Sequence, residues 1–276
     1  MGGVSPYSVV GPGRAFAWEW PLYYPLPAIL VTCPMAMMSL RDGMAFFTAL
    51  SSGAFAFAIT RDGWRRVPLL ASAPLAYAVG LVQWSPLLTA AALVPSLGLL
   101  LVTKPSIGLA IWLYRPTLRA LVGGLFLLLV SIAIWPTWIA EWLTALESAH
   151  HMVLPIVHRG GPLLALALLR WRRPEARLLL ALACVPQTAL LYEVVPLLLI
   201  PATLVESLAF TVLSWITLLV WTHLEHPALY GNLTLSSARL VVPLLYLPCL
   251  VMVLRRPNEG RLPSWIEQLG VRLGSA

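Results

Sequence analysis

A long uncharged stretch decides the fold class: residues 67–103 read VPLLASAPLAYAVGLVQWSPLLTAAALVPSLGLLLVT and contain no Asp, Glu, Lys or Arg. Two further uncharged runs cover residues 120–140 and 207–224. A helix needs about 20 apolar residues to cross the hydrocarbon core of a membrane. Backbone groups in lipid must bond within their own segment, and these runs lack the period-two alternation of barrel strands. We therefore expect an all-α, polytopic transmembrane helical bundle.

The composition of the whole chain supports this expectation. Of its 276 residues, 59% are hydrophobic and only 11% are charged, whereas soluble domains carry about a quarter charged residues. The net charge of +7 comes from arginines at the ends of apolar segments, as the positive-inside rule predicts for cytoplasmic ends. These clusters are Arg61/Arg65/Arg66, Arg115/Arg119, Arg170/Arg172/Arg173/Arg177 and Arg255/Arg256. We interpret them as topology signals and expect no nucleic-acid partner.

The chain divides into three regions by composition. Residues 1–24 are predicted to form an extracytoplasmic loop, residues 25–256 the transmembrane domain, and residues 257–276 a polar tail. We expect about eight to ten membrane segments, some of them broken or re-entrant where Pro interrupts the apolar runs. Arg41-Asp42-Gly43 is interpreted as a turn between two segments, and residues 85–114 as a span interrupted at Lys104-Pro105.

Lys104, the only lysine of the chain, is the most informative position. It follows the uncharged run and precedes a helix-breaking Pro, so its charge lies at the edge of a long apolar segment. Two interpretations stay open. In one, the side chain extends to the membrane interface; in the other, it binds an anionic group such as a phosphate in a cavity.

Other polar residues carry weaker signals. Glu193 ends an uncharged run, and the acidic and histidine residues of segments 137–152 and 223–237 fall on the side opposite the arginines. The histidine spacings match no zinc signature, and no nucleotide-binding or nucleophile motif occurs. We therefore expect no metal site and no cofactor.

Five short motifs occur in order along residues 2–200. They are Gly2-Gly3-Val4-Ser5-Pro6-Tyr7, Tyr24-Pro25-Leu26-Pro27 with Pro34, Val82-Gln83, Lys104-Pro105, and Val185-Pro186 followed by Tyr192-Glu193. In their order and spacing the chain resembles the family 87 glycosyltransferases, polytopic membrane enzymes of the GT-C class. The resemblance implies a GT-C-like fold in a multi-pass protein of the inner (plasma) membrane, within the cell envelope.

The resemblance also implies an activity. It is inverting hexosyl transfer from a polyprenyl-phosphate sugar donor to a lipid or glycan acceptor at the extracytoplasmic face, with membrane lipids around the protein. A cation beside the donor phosphate stabilises the leaving group in such a reaction, and Lys104 matches that position. The donor phosphate- or sugar-binding residues implied by the motifs are Lys104, Gln83, Tyr24, Tyr7, Tyr192 and Glu193.

Several departures from the family pattern matter. Val82 stands where the family has Gly, and Glu193 stands where it has Asp. The family's proposed catalytic Asp lies upstream of the Gly-Gly loop, before residue 1. The catalytic residue is therefore unknown, and we expect either a truncated gene product or a complete, inactive protein. Glu19 is the only carboxylate of the first loop and is a poor substitute.

Two other functions remain open at this point. One is a transporter or flippase of an amphiphilic solute, and the other is a non-catalytic membrane subunit. Transporters often show repeated halves and intramembrane charge pairs, and the sequence shows neither. A site that contains Lys104, Gln83 and Glu193 together would favour the enzyme.

Overall fold

The computed structural model describes residues 3–149, 152–224 and 230–260, and their regular structure is almost entirely helical. The predicted all-α class is therefore confirmed. The α-helices are α1 Pro6–Val9, α2 Leu26–Thr32, α3 Leu40–Thr60, α4 Ala73–Gly80, α5 Ser85–Ala91, α6 Pro105–Tyr114, α7 Leu118–Ile134, α8 Trp138–Glu147, α9 Pro174–Cys184, α10 Leu204–Leu224, α11 Tyr230–Val241 and α12 Leu247–Leu254.

Shorter, tighter helices connect many of these elements. The 3₁₀ segments are Cys33–Met37, Trp64–Ala71, Pro95–Thr103, Pro155–Val157, Gly161–Arg170 and Leu191–Leu199, and a π turn at Val242–Tyr246 joins α11 to α12. Two two-residue strands, β1 Val10–Gly11 and β2 Phe16–Ala17, pair in parallel in the first loop. Pro occurs in every one of these 3₁₀ segments, at the first or second position in four of them and in the interior of Trp64–Ala71 and Leu191–Leu199. Because Pro interrupts a regular α-helix, these residues account for the broken helices.

Three helices of the described residues are long and apolar enough to cross a membrane: Leu40–Thr60, Leu204–His223 and Thr234–Leu254. The pair α7 and α8 adds a fourth if its two parts, bent by 98°, count as one span. The sequence predicted eight to ten membrane segments. The structure divides several of the other apolar stretches into helices of about ten residues, too short to cross about 30 Å of hydrocarbon.

One end of the bundle, here called the arginine face, is defined by Arg66, Arg170, Arg177 and Arg256. Their guanidinium groups donate to backbone carbonyls where segments end: Arg66 to Leu199 and Pro201, Arg170 to Leu254, Arg177 to Leu113 and Tyr114, and Arg256 to Ile200. The last carbonyls of a helix have no partner within it. The arginines therefore satisfy helix ends as well as marking topology.

Residues 95–114 form a helical hairpin instead of the predicted interrupted span. The 3₁₀ segment starts near Leu93, whose carbonyl accepts from Arg61, and α6 returns to the arginine face at Tyr114. The two arms touch, because a Cβ on Gly108 would lie 1.9 Å from the Leu101 carbonyl oxygen. Lys104 stands at the apex, about 15 Å from the arginine face by the rise of α6.

A second hairpin covers residues 174–201. Helix α9 starts at the arginine face, where Glu175 contacts Arg256 at 3.5 Å, and the segment Leu191–Leu199 leads back to it. The reversal between the two arms is held by an antiparallel bridge from Gln187 to Val153. Glu193 follows closely after this reversal, in the first turn of the returning arm.

A third hairpin covers residues 64–93. Its first arm runs beside α10, where Thr211 donates to the Pro68 carbonyl and Trp215 to the Ala71 carbonyl. Helix α5 then returns towards Leu93. The apex contains Val82 and Gln83. All three hairpins therefore start and end on the same side of the molecule.

The opposite end of the bundle is covered by the first loop and α8. Ser5 donates to Glu141 of α8, Trp142 donates to the Tyr23 carbonyl at 2.8 Å, and Tyr7, Leu26 and Trp138 form a small buried cluster. Segment 137–152, which the sequence places opposite the arginines, contains α8 at this end. The loop and α8 together form what we call the outer cap.

The structure revises one local expectation. Arg41-Asp42-Gly43 is not a turn between two segments but the first turn of α3. The Ser39 hydroxyl accepts from the Asp42 backbone N–H and donates to its carboxylate at 2.7 Å, which caps the helix. A carboxylate in the first turn also suits the positive end of the helix dipole.

Candidate functional site

Lys104 lies at the junction between the two arms of its hairpin, directly before α6. Pro105 supplies the first helical residue, a position that needs no N–H donor. The Lys104 ammonium nitrogen lies 2.8 Å from Oε1 of Glu193. The exposed fraction of the Lys104 side chain is 15% and that of Glu193 is 4%. The only lysine of the chain is therefore held in a largely buried ion pair inside the bundle.

The carboxylate of Glu193 is asymmetrically bonded. Oε1 accepts from Lys104 and, at 3.4 Å, from the hydroxyl of Thr188. Oε2 is buried and has no hydrogen-bond partner among the described residues. A buried carboxylate oxygen without a donor costs free energy, so Glu193 has one acceptor atom that the described residues leave unused.

Two tyrosine rings form one wall beside the ion pair. The Lys104 ammonium lies 4.8 Å from the centroid of the Tyr192 ring, within the range of a cation–π contact. The ring of Tyr77 stacks on that of Tyr192, with 6.3 Å between the ring centroids and the two planes nearly parallel. The Tyr192 hydroxyl and Thr188 lie 3.1 Å apart. The cation therefore contacts both an aromatic ring and a carboxylate.

Tyr24 links the first loop to the apex of the hairpin 64–93. Its hydroxyl donates to Oε1 of Gln83 at 3.1 Å, and it interacts electrostatically with both Lys104 and Glu193. Tyr7 donates in turn to the Tyr24 carbonyl at 3.1 Å. Burial raises the pKa of the Tyr7 phenol, and the negative charge of Glu141 raises it further, so Tyr7 stays a donor.

Two strained residues occur at the reversals. Val82 and Ala189 have φ angles of 54° and 50°, in the left-handed region that non-glycine residues rarely adopt. Val82 precedes Gln83, and Ala189 follows Thr188. Strain of this kind persists where surrounding structure holds it, often at functional sites. Glycine adopts such a left-handed angle without this strain.

The structure therefore brings together the six residues that the motifs singled out. Direct contacts form two groups, Lys104 with Glu193 and Tyr192, and Tyr24 with Gln83 and Tyr7. Tyr24 lies within electrostatic range of the ion pair. We call Tyr7, Tyr24, Gln83, Lys104, Tyr192 and Glu193 the apex cluster. Its members come from five separate stretches of the sequence.

Sequence reasoning missed two members of the surroundings, Thr188 and Tyr77. A signal for Thr188 was present, since Gln187-Thr188 is a polar pair directly after Val185-Pro186 in an otherwise apolar run. Tyr77 lies in a plain apolar helix and gave no such signal. Both side chains contact Tyr192.

Other residues raised by the sequence lie elsewhere. Glu19 is exposed in the first loop. His150, His151, Glu225 and His226 lie outside the described residues. Across residues 3–149, 152–224 and 230–260, no group of three or more His, Cys, Asp or Glu could hold a metal ion.

An open apolar groove of about 490 Å³ lies between α3 and the end of α4. Residues between Met44 and Ser52 line one side, and Val79 and Val82 line the other. Val82 immediately precedes Gln83 of the apex cluster. The groove is therefore a hydrophobic depression on the outside of the bundle that leads to the hairpin apex.

Comparison with known proteins adds no identification. No protein-family model, curated protein or solved structure matches the chain. Functional inference consequently rests on the geometry of the apex cluster and on the apolar helices around it.

Proposed function

We propose that this protein is a membrane glycosyltransferase that transfers a hexose from a polyprenyl-phosphate donor to a lipid or glycan acceptor. The observation that carries the proposal is the apex cluster: a buried cation, two hydrogen-bonding side chains and an aromatic wall in one place. A sugar phosphate needs these same groups, namely a cation for the phosphate and polar and aromatic groups for the sugar.

Lys104 has the central role in the proposed reaction. The acceptor hydroxyl oxygen attacks the anomeric carbon, the bond from that carbon to the phosphate oxygen breaks, and its electron pair stays on the phosphate. An ammonium beside that oxygen stabilises the developing charge, most effectively where water is scarce. Tyr24 and Gln83 orient the donor by hydrogen bonds, Tyr192 contributes its ring, and Tyr7 holds Tyr24 in place.

The acceptor's proton goes to a base on the other side of the anomeric carbon in an inverting transfer. Glu193 lies 2.8 Å from Lys104 and therefore on the side of the leaving group. In this proposal Glu193 belongs to the donor-phosphate end of the site, and the acceptor-side base is a different group.

The surroundings of the cluster fit a lipid-linked donor. The groove between α3 and α4 could hold part of a polyprenyl chain, since it is apolar and leads to Gln83 by way of Val82. We further propose a multi-pass protein of the inner (plasma) membrane, with the arginine face in the cytoplasm and the outer cap outside. The sugar would then be transferred at the extracytoplasmic face.

The test is transfer of a radiolabelled hexose from a polyprenyl-phosphate sugar, measured with the purified protein in lipid nanodiscs. Measured relative to the unaltered chain, transfer should fall at least about a hundredfold in Lys104→Met, by analogy with the removal of one oxyanion donor. Arg119→Met is the matched control, because it removes an exposed cation at the start of α7. Equal transfer by Lys104→Met and the unaltered chain would contradict the proposal.

One observation favours a second candidate function, transport of an amphiphilic anion. The sequence showed no intramembrane charge pair, but Lys104 and Glu193 form one where discontinuous helices meet, a feature of many transporter sites. Uptake of a labelled solute by proteoliposomes, together with absence of sugar transfer, would support this candidate over the enzyme.

A further inference from the structure

The apex cluster is electrically balanced before any ligand arrives. Lys104 contributes one positive charge and Glu193 one negative charge, and they lie 2.8 Å apart with little exposed surface. A bound phosphodiester would add a second anion to one cation. An uncompensated charge in a poorly solvated site costs several kcal/mol, so loss of the Glu193 charge would favour anion binding at this site.

The position of Glu193 shows how this could happen. Its side chain is fixed in the returning arm of the hairpin 174–201, and Oε2 is buried without a hydrogen-bond partner among the described residues. Burial of a charge without a partner is costly, and a neutral carboxylic acid avoids that cost. Thr188, 3.4 Å from Oε1, stays in reach as a hydrogen-bond partner of the neutral acid.

The groups around Glu193 show which charges of the site can rearrange when a ligand binds. Among the described residues, Glu193 pairs with Lys104 and interacts electrostatically with Tyr24 and Tyr246, while Tyr192 contacts Lys104 and Tyr77 stacks on Tyr192. Phenols ordinarily ionise near pH 10. Around neutral pH the cation and the carboxylate are therefore the groups that can rearrange.

We propose that Glu193 occupies the anion position of this site in the absence of ligand, and that a phosphodiester replaces it on Lys104 while Glu193 takes up one proton. The proton comes from the solvent, and no covalent bond changes other than the new O–H of the acid. The inference rests on the proposed phosphate site at Lys104 and adds its regulation: anion binding is coupled to proton uptake.

The test is calorimetry on the full chain in lipid nanodiscs with farnesyl methyl phosphate, a phosphodiester that does not titrate in the neutral range. Titrations in buffers of different ionisation enthalpy should show uptake of about one proton per bound probe. Dimethyl phosphate and farnesol separate the contributions of the headgroup and the chain. Binding of dimethyl phosphate would indicate a free phosphodiester as ligand, and binding of the farnesyl probe alone would indicate a lipid-linked one.

Variants distinguish the proton uptake by Glu193 from the phosphate site at Lys104. We expect Glu193→Gln to bind the probe at least about tenfold more tightly and without proton uptake, because the competing charge is gone. Lys104→Met should bind at least about tenfold more weakly. Glu147→Gln, which neutralises an exposed carboxylate of α8, is the control and should behave like the unaltered chain.

The outcomes are distinct. Lys104-dependent binding without proton uptake, or without tighter binding by Glu193→Gln, would contradict the coupled proton uptake but not the phosphate site. Binding that ignores Lys104→Met, or equals that of farnesol, would overturn both proposals. If Glu193→Gln does not fold, the measurement on the unaltered chain still tests the proposal, because anion binding without proton uptake would contradict it.

Discussion

At the scale of single residues, the molecule concentrates its unusual chemistry at the chain reversals. Lys104 stands at one apex, Gln83 at another and Glu193 just after the third. Two of these reversals also contain a non-glycine residue with positive φ, Val82 and Ala189. Charge, strain and hydrogen bonding therefore coincide at positions where the apolar helices are interrupted.

The strain at Val82 leads to a first prediction. Val82→Gly should change the free energy of unfolding by less than about 1 kcal/mol, because relief of the left-handed valine offsets the lost side-chain contacts. Val79→Gly is the matched control, since Val79 lies in regular α4 and its replacement should cost about 1 kcal/mol or more. Thermal unfolding of both variants in detergent, followed by tryptophan fluorescence, provides the comparison. A greater loss from Val82→Gly than from Val79→Gly would contradict this account of the reversal.

At the scale of elements, close contact between short helices holds the hairpins together. Gly108 lets α6 touch the segment Pro95–Thr103, and Gly98 and Gly123 let α7 approach the same segment. Small residues at helix contacts are a general device in membrane proteins, because lipid gives apolar side chains no reason to associate. The hairpin that carries Lys104 is therefore packed through glycines on both sides.

This packing gives a second prediction. Gly108→Ala should destabilise the protein by several kcal/mol, because the new Cβ would lie 1.9 Å from the Leu101 carbonyl oxygen and the arms would have to separate. The same substitution at Gly53 of α3 meets no atom within 4 Å and should be neutral or slightly stabilising. Thermal unfolding of the two variants is the measurement. Equal unfolding midpoints would contradict the tight hairpin.

Much of the arrangement of the helices could not be predicted from the sequence. Apolar runs and Lys104-Pro105 predicted helices and a break, and both are present. An uncharged run does not reveal whether the chain continues across the membrane or turns back, so the sequence predicts an interrupted span for residues 85–114. The turn depends on Gly108 fitting against Leu101, a contact that no local pattern signals.

The candidate site shows the same division. The motifs singled out six residues, and these lie together in the apex cluster. Their pairing was not predictable, because Lys104 and Glu193 are 89 residues apart and each stood alone at the end of an apolar run. The helix-capping role of the arginines was likewise hidden, since it depends on which segment ends meet at the arginine face.

At the scale of the whole molecule, the two ends of the bundle differ in charge. The arginine face joins the ends of all three hairpins, whereas the outer cap is held by Ser5, Glu141 and Trp142. The three helices long enough to cross a membrane run alongside these hairpins. The architecture places a charged cluster inside an apolar bundle, closed on one side by arginines and on the other by the first loop.

The charge asymmetry gives a third prediction, on orientation. Arg41 and Arg65 lie near opposite ends of α3 and are both exposed. Arg65→Cys should react with a membrane-impermeant maleimide only after the cytoplasmic side is opened, and Arg41→Cys should react in intact cells. Both variants need Cys33 and Cys184 replaced by Ser, since these cysteines are exposed. Labelling of both positions from the same side would contradict a membrane-crossing α3.

The central claim is that separate hairpins meet through the ion pair of Lys104 and Glu193, and charge reversal tests it most directly. The measurement is thermal unfolding of Lys104→Glu, Glu193→Lys and the double variant, with the same reversals at the exposed pair of Arg61 and Asp62 as control. Each single reversal of the buried pair should cost about 3–5 kcal/mol and the double variant should recover more than half of the summed loss, while the control changes stability by less than about 1 kcal/mol. A double variant that is as unstable as the sum of the two single reversals would contradict the claim.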